Sequence, residues 1–414
     1  MKRWSFFGLF LVIAFLLYSC SDGNDSDSQG TGGSENGSIA QKTLIVYMMA
    51  ENSLSGPVRD YAQFDIDELL EAAKSVPSDC RLFAYVDDEL FPRMYQFYST
   101  HSGGKCEIIK EYENDVCSSS VEELSSVLSY ILDEYPTKEL DIVLWSHGNG
   151  WLRGKDYDVQ NRSIGLDNGK NDFSDAETNT IEIEDLATVL GNLPVRVERL
   201  MFDACFMQCV EVAYALRNAV NWIIASPAEI PGFGAPYADI AIAMLNSQEP
   251  EPVIDVYIDS YKFDYSGAVL SAVRTSEMQR LAEVTSVCVR KCYNVSVKRD
   301  MGDVFSYLPG GELNPLLPSF YDMNAVMLHA VDLELLSEIE YREWKNVLDG
   351  TIVYSASSPF WYSMYRGGRL EYDNITGCGM SMYVPMSMGW SSPLNDAFST
   401  TEWYDAAGWK SAGW

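Results

Sequence analysis

Apolar runs of strand length, four of the five followed at once by a polar side chain, constrain this chain more than any other feature. They read "TLIVYMM", "CRLFAYV", "LDIVLW", "VERLMF" and "NWIIA". None alternates apolar with polar, so both faces of each strand must be covered. The segments between them have helical spacing. Residues 58–75 carry Phe64, Ile66, Leu69, Leu70 and Ala73 at helical spacing. "SSSVEELSSVLSYILDEYP" starts on a serine cap with Glu122 and Glu123 in its first turn and stops before Pro136. "IEIEDLATVLGNL" and "FMQCVEVAYALRNA" are further helices by the same periodicity. Strand and helix in alternation predict an α/β fold with a mostly parallel sheet flanked by helices. Function in such sheets collects at the carboxyl ends of the strands. His147, Cys205 and Ser226 all stand at those ends.

The chain of 414 residues divides into four stretches. Residues 1–19 have a positive start (Lys2, Arg3), an apolar run over Phe6–Leu17 and "LYSC", the pattern of a lipoprotein signal peptide with Cys20 as the lipidated residue. Residues 20–40, rich in Ser, Gly, Asp and Asn, read as a flexible linker. Residues 41–240 read as the core that carries these strand ends, and 241–414 as a smaller α+β extension that completes the sheet and packs on the core. The anchor predicts an extracytoplasmic protein held on the outer membrane, and acidic residues after Cys20 resemble the export signal of surface lipoproteins. The formal net charge of −31, with no basic patch, excludes nucleic acid as a partner. A monomer is expected.

The chain has only three histidines and nine cysteines. One of each follows an apolar run, in "IVLWSHGNGW" and "LMFDACFMQC". A cysteine nucleophile needs a lowered thiol pKa, which a helix N-terminus or a neighbouring imidazolium supplies. Cys205, read as ending a strand and opening a helix, meets the first condition; His147 at a neighbouring strand end meets the second. Gly148 carries no Cβ, so its N–H, with that of Cys205, suits an oxyanion hole. The pairs Cys205/Cys209 and Cys288/Cys292 sit one helical turn apart with no histidine nearby, the pattern of core residues, and no metal site is expected. Neither G-x-S-x-G nor H-E-x-x-H occurs, which argues against a serine hydrolase and a zinc peptidase. His101 and His329 read as incidental. A surface lipoprotein that binds protein or glycan on an inactive scaffold is the alternative, and it conflicts with the presence of both nucleophile and base.

The two motifs together resemble the clostripain family of cysteine peptidases, relatives of the caspases and gingipains. "TLIVYMMAENSL", "SIGLDNG", "ASPAEIPGFGAPY" and "GCGMSMYVP" extend the likeness over residues 42–410. The resemblance implies a caspase-like fold and a cysteine endopeptidase acting on protein or peptide substrates through an acyl-enzyme. It assigns His147 as general acid/base, Cys205 as nucleophile and Asp203 as the carboxylate of a pocket for Arg or Lys at P1. A structural role for Asp203 in the turn after the strand fits its position equally. Ser226 and Glu229 match the pocket wall, although Ser226-Pro227 and Gly232-Phe233-Gly234-Ala235 stand where relatives carry Ser-Glu and an Asp-Gly with Trp. Arg153, Lys155, Arg162 and Lys170 lie in the polar loop 152–180, where relatives can be cut on activation. Calcium is the one cofactor the resemblance leaves open. The acids Asp156, Asp158, Asp167, Asp172 and Asp175 of this loop do not have EF-hand spacing, and a solvated loop is the reading their pattern favours.

Overall fold

A computed structural model describes residues 38–152, 163–169, 180–262, 264–296, 300–310, 319–386 and 392–414. The stretches read as signal peptide (with Cys20 after it) and, for nearly all its length, linker lie outside them, as do Arg153, Lys155, Arg162, Lys170, Asp156, Asp158, Asp172 and Asp175. Among the described residues, no helix is long and apolar enough to cross a membrane.

The apolar runs become β1 (Ala40–Met49), β2 (Cys80–Asp87), β5 (Thr137–Trp145), β6 (Val197–Asp203) and β7 (Val220–Ala225), which are five parallel neighbours in the order β2-β1-β5-β6-β7. β3 (Arg93–Thr100) and β4 (Gly103–Glu111) extend the sheet antiparallel beyond β2. Beyond β7 it continues through β8 (Val269–Arg274) and, past the short β9 (Ser306–Leu308) and β10 (Phe320–Asp322) in the chain, β11 (Ile352–Ser357). The nine-stranded sheet therefore has a parallel centre and antiparallel margins, and residues after 240 supply one margin. β12 (Phe360–Ser363) and β13 (Gly368–Glu371) form a separate hairpin, and β14 (Ser381–Met382) pairs with β10.

Both faces are covered, as continuous apolar strands require. In β1, Ile45, Tyr47 and Met49 pack with α2 (Val121–Glu134), α3 (Ile183–Gly191), α4 (Val210–Ala215) and α7 (Met278–Cys292). Leu44, Val46 and Met48 pack with α1 (Tyr61–Ala72), α5 (Tyr237–Asn246) and α6 (Glu251–Tyr261) on the other face. The α2 helix starts where its sequence says it should: the Ser120 side chain accepts from Glu123 N–H, and Leu124, Val127, Leu128 and Ile131 form its buried stripe. Later helices α8 (Met323–Asp332) and α9 (Glu338–Thr351) follow the same rules, α9 with a full capping box at Ser337 and Glu340.

Polar groups at the two ends of the sheet serve different purposes. Near the amino ends of β5 and β6, Arg199 and Asp141 form a wholly buried pair at 2.5 Å, with the Lys42 ammonium 3.9 Å from the same carboxylate. At the carboxyl ends the polar groups converge on Cys205.

Candidate active site

The register of β5 on β6 brings the two sequence motifs together. Trp145 lies opposite Asp203, so His147 and Cys205 each stand two residues past a paired position on adjacent strands. Their approach is tight. A Cβ added to Gly148 would come 2.8 Å from the Cys205 carbonyl oxygen and 2.9 Å from Met207 Sδ. Only glycine fits there. Among the described residues, neither the Gly148 N–H nor the Cys205 N–H donates to a protein acceptor. Both donors therefore stay open to a ligand, as an oxyanion hole requires.

One expectation fails at Cys205. The residue does not open a helix: α4 begins only at Val210. Phe206 takes a left-handed φ of 62°, rare for a bulky side chain. Its ring stacks on Phe320 at 4.6 Å, and its N–H donates to the Ala228 carbonyl. The next residues run extended, with Gln208 N–H bonded to the Ser226 carbonyl. A turn pinned by tertiary contacts thus replaces the first helical turn, and no helix dipole acts on the sulfur. The Ile230 N–H reaches Sγ at 3.4 Å instead. Burial, with Glu229 and Asp203 adding negative charge, pushes the thiol up to about 12. Burial also holds the His147 imidazole below its ordinary range. The resting pair is therefore a neutral thiol and a neutral imidazole.

His147 is oriented by a residue the sequence did not single out. Ser53 Oγ, in the turn after β1, lies 2.9 Å from His147 Nε2. The Gly165 N–H donates to the His147 carbonyl at 3.0 Å, and the Asn149 N–H to the Ser163 carbonyl, so segment 163–169 braces the His147–Asn149 backbone. The signals for Ser53 and Phe206 were faint: a serine in the polar turn "AENSLS" and a bulky residue after the cysteine, neither unusual in itself.

Asp203 is buried at the end of β6. Its Oδ2 accepts from Ala235 N–H at 2.9 Å and from the Tyr237 hydroxyl at 3.0 Å, while Oδ1 has no hydrogen-bond partner. A Cβ on Gly234, where φ is 63°, would meet Oδ2 at 2.5 Å. Glycine at 234 therefore lets the loop close over the carboxylate. Burial raises Asp203 to about 6, partly offset by these hydrogen bonds. Asp65 of α1 is close enough to feel its charge. Burial first, then Asp203 and Glu68, raise Asp65 to about 10, so it is a neutral acid at pH 7, accepting from Trp145 Nε1–H at 2.8 Å. Two neighbouring carboxyls thus divide into one charged and one neutral group.

The Ser226 hydroxyl donates to the Ala228 carbonyl and accepts from the Ala228 N–H, shaping the turn after β7. Glu229 Oε1 accepts from the N–H groups of Met364 and Tyr365, which ties the β12–β13 turn to the loop that carries Ile230. Ser226 is thus held within its own turn, and Glu229 by a hairpin 135 positions further along the chain.

The clostripain family model matches residues 46–414. No curated protein matches the chain. Among solved structures, a secreted C11 cysteine protease from Bacteroides thetaiotaomicron, in complex with an irreversible peptide inhibitor, is 25% identical with a TM-score of 0.74; the match covers 90% of this chain and 100% of that one. An inactive zymogen C11 protease from Parabacteroides distasonis is 24% identical with a TM-score of 0.73, over 89% of this chain and 99% of that one, and shares the fold. A cysteine protease of B. fragilis is 31% identical over 57% of this chain and 96% of its own, with a TM-score of 0.51.

Proposed function

Because the chain belongs to the clostripain family of cysteine peptidases, we propose that it is an endopeptidase in which His147 and Cys205 form the catalytic dyad. The observation that carries this reading is the β5–β6 register, which puts His147 and Cys205 equally far past the paired Trp145 and Asp203 on adjacent strands, where the N–H groups of Gly148 and Cys205 meet no acceptor among the described residues. From a neutral pair, attack and proton transfer go together. The Cys205 sulfur bonds to the scissile carbonyl carbon as its proton passes to the His147 imidazole. The carbonyl π pair moves to oxygen, where the two N–H groups stabilise it. The intermediate collapses, the C–N bond breaks, and the imidazolium protonates the departing amine. Water then attacks the thioester with His147 as base and restores the thiol.

P1 recognition belongs to Asp203, whose one unpartnered oxygen and residual negative charge suit an Arg or Lys side chain. A charged hydrogen bond in a dry pocket is strong and selective. Asp65, neutral beside it, adds no second charge to that of Asp203. The substrate is a protein or peptide; the B. thetaiotaomicron relative, in complex with a peptide inhibitor, supports that reading. That relative is secreted, which agrees with an extracytoplasmic enzyme, here anchored to the outer membrane through Cys20 and acting as a monomer.

The test is cleavage of fluorogenic peptides that vary only at P1, with wild type beside Cys205→Ala. Cleavage after Arg or Lys, absent in the variant, is the expected result. Cleavage after another residue would remove Asp203 as the specificity determinant and keep the dyad. Equal activity in the variant would refute the dyad.

A further inference from the structure

Three carboxylates that take no part in the dyad meet at the same edge of the sheet. Glu51 follows the end of β1, Asp87 is the last residue of β2, and Asp167 lies in segment 163–169. One oxygen from each lies within 4.8 Å of the others, and all three residues are buried. Asp167 is partnered: Oδ2 accepts from Ser118 N–H at 2.6 Å and from the Ser118 hydroxyl at 3.0 Å, and Oδ1 from Gly169 N–H at 2.9 Å. Asp87 is different. It is 0% exposed, yet neither carboxylate oxygen meets a donor in hydrogen-bonding geometry. Ser118 comes close, but a hydroxyl has one proton and this one goes to Asp167.

Burying a carboxylate without a donor is costly unless something positive accompanies it. Oxygen-only ligands suit a hard cation. Ligands on opposite sides of one calcium ion are about 4.6–5.2 Å apart, twice the usual calcium–oxygen distance. One oxygen from each of the three residues lies within 4.8 Å of the others, close enough for a single ion to touch all three. We propose that Glu51, Asp87 and Asp167 bind a calcium ion, with water completing the oxygen shell.

Such an ion would join to β2 two pieces of chain that hydrogen bonds already bring to His147. Asn168 N–H donates to the Glu51 carbonyl at 2.9 Å, and Asn52 Nδ2 to the Leu166 carbonyl at 2.7 Å. The loop after β1 carries Ser53, and segment 163–169 carries Gly165, both in contact with His147. The ion would fasten both to β2 and fix the imidazole's position. Asp167 thus changes meaning: a residue that reads as one acid of a solvated loop is buried among ligands drawn from two strand ends.

The test is calorimetric titration of the chelator-treated full chain with calcium chloride, with melting temperature read in parallel. Wild type is expected to bind one calcium ion per chain saturably and to melt higher as calcium rises, because a ligand of the folded state alone stabilises it. Asp87→Asn should bind at least tenfold more weakly and lose the calcium-dependent shift. The exposed Asp259→Asn controls for loose binding to an acidic surface and should match wild type. If Asp87→Asn does not fold, Glu51→Gln takes its place. Absence of a saturable site in wild type, or wild-type affinity in Asp87→Asn, would overturn the proposal and leave a proton shared among the carboxyls. Binding is read without substrate, so this result and the peptidase result can fail separately.

Discussion

Cys205 shows how far a side chain's chemistry depends on its neighbours. With the thiol pushed up to about 12 and the imidazole held down, the resting enzyme contains little thiolate. Alkylation of Cys205 by iodoacetamide, followed by mass spectrometry of its peptide, should therefore quicken steadily from about pH 6 to about pH 9 without levelling off. A plateau beginning near pH 5 would reveal a thiolate–imidazolium pair and contradict the neutral dyad. Asp203 carries the opposite kind of burden. Its folded pKa, about 6, lies above the ordinary 3.8. The folded state thus holds the proton more tightly than the unfolded one, so its stabilising effect is complete below about pH 4 and is lost as pH rises through about 6. Two pK units correspond to about 3 kcal/mol. Asp203→Asn keeps an acceptor for Ala235 and Tyr237, so at pH 7.5 it should be about 2–3 kcal/mol more stable than wild type. The gain should shrink towards pH 4 in urea unfolding. Cleavage after Arg and Lys should fall at the same time. Equal gains at both pH values would show that the charge is not the cause.

At the level of elements, the active site is a property of two strand ends and the loops that pin them. β5 and β6 converge because Gly148 lets their extensions touch. Gly148→Ala must push the His147 and Cys205 segments apart by some tenths of an ångström or more. Misplacement on this scale can cost about 100-fold in rate. We expect a loss of that order in kcat/KM, with the circular dichroism spectrum retained. Gly350→Ala is the matched control. An added Cβ meets nothing within 4 Å in α9. It should leave activity unchanged and add about 0.5–1 kcal/mol of stability. If the two variants lose activity alike, the close approach at Gly148 is not what organises the dyad. Elements also explain the failed helix start. Residues 206–209 have helical composition, but the Phe206–Phe320 stack goes with a left-handed Phe206, and the Gln208–Ser226 bond with an extended run after it. Tertiary contacts overrode a weak local preference.

For the whole molecule, the charge is the dominant long-range fact. A formal net charge of −31 surrounds a site read as taking cationic side chains. Encounter with basic peptides should be accelerated and screened by salt. Between about 20 and about 300 mM sodium chloride, kcat/KM for an Arg- or Lys-rich peptide should fall by about tenfold. That for an acidic peptide with the same P1 residue should rise. Parallel behaviour of the two peptides would remove the steering argument. The anchor is tested at the same scale: Cys20→Ala should move the protein from the membrane to the soluble extracytoplasmic fraction on immunoblots, and retention at the membrane would remove Cys20 as its attachment.

Much of this was legible beforehand, for identifiable reasons. Continuous apolar strands and capped amphipathic helices are local patterns, so the sequence alone determined the α/β class, the parallel centre of the sheet and the strand ends at which His147 and Cys205 stand. Only the tertiary structure decided what surrounds them. Ser53 reaches His147 across 94 positions of chain. Ile230 reaches the thiol, Gly234 closes on Asp203, and Asp87 comes to lie between Glu51 and Asp167. None of these pairings leaves a periodic trace in the sequence. Each depends on which strands neighbour one another and on how loops of different lengths fold back over their ends. Burial then sets the protonation of groups whose residue types alone would suggest ordinary behaviour.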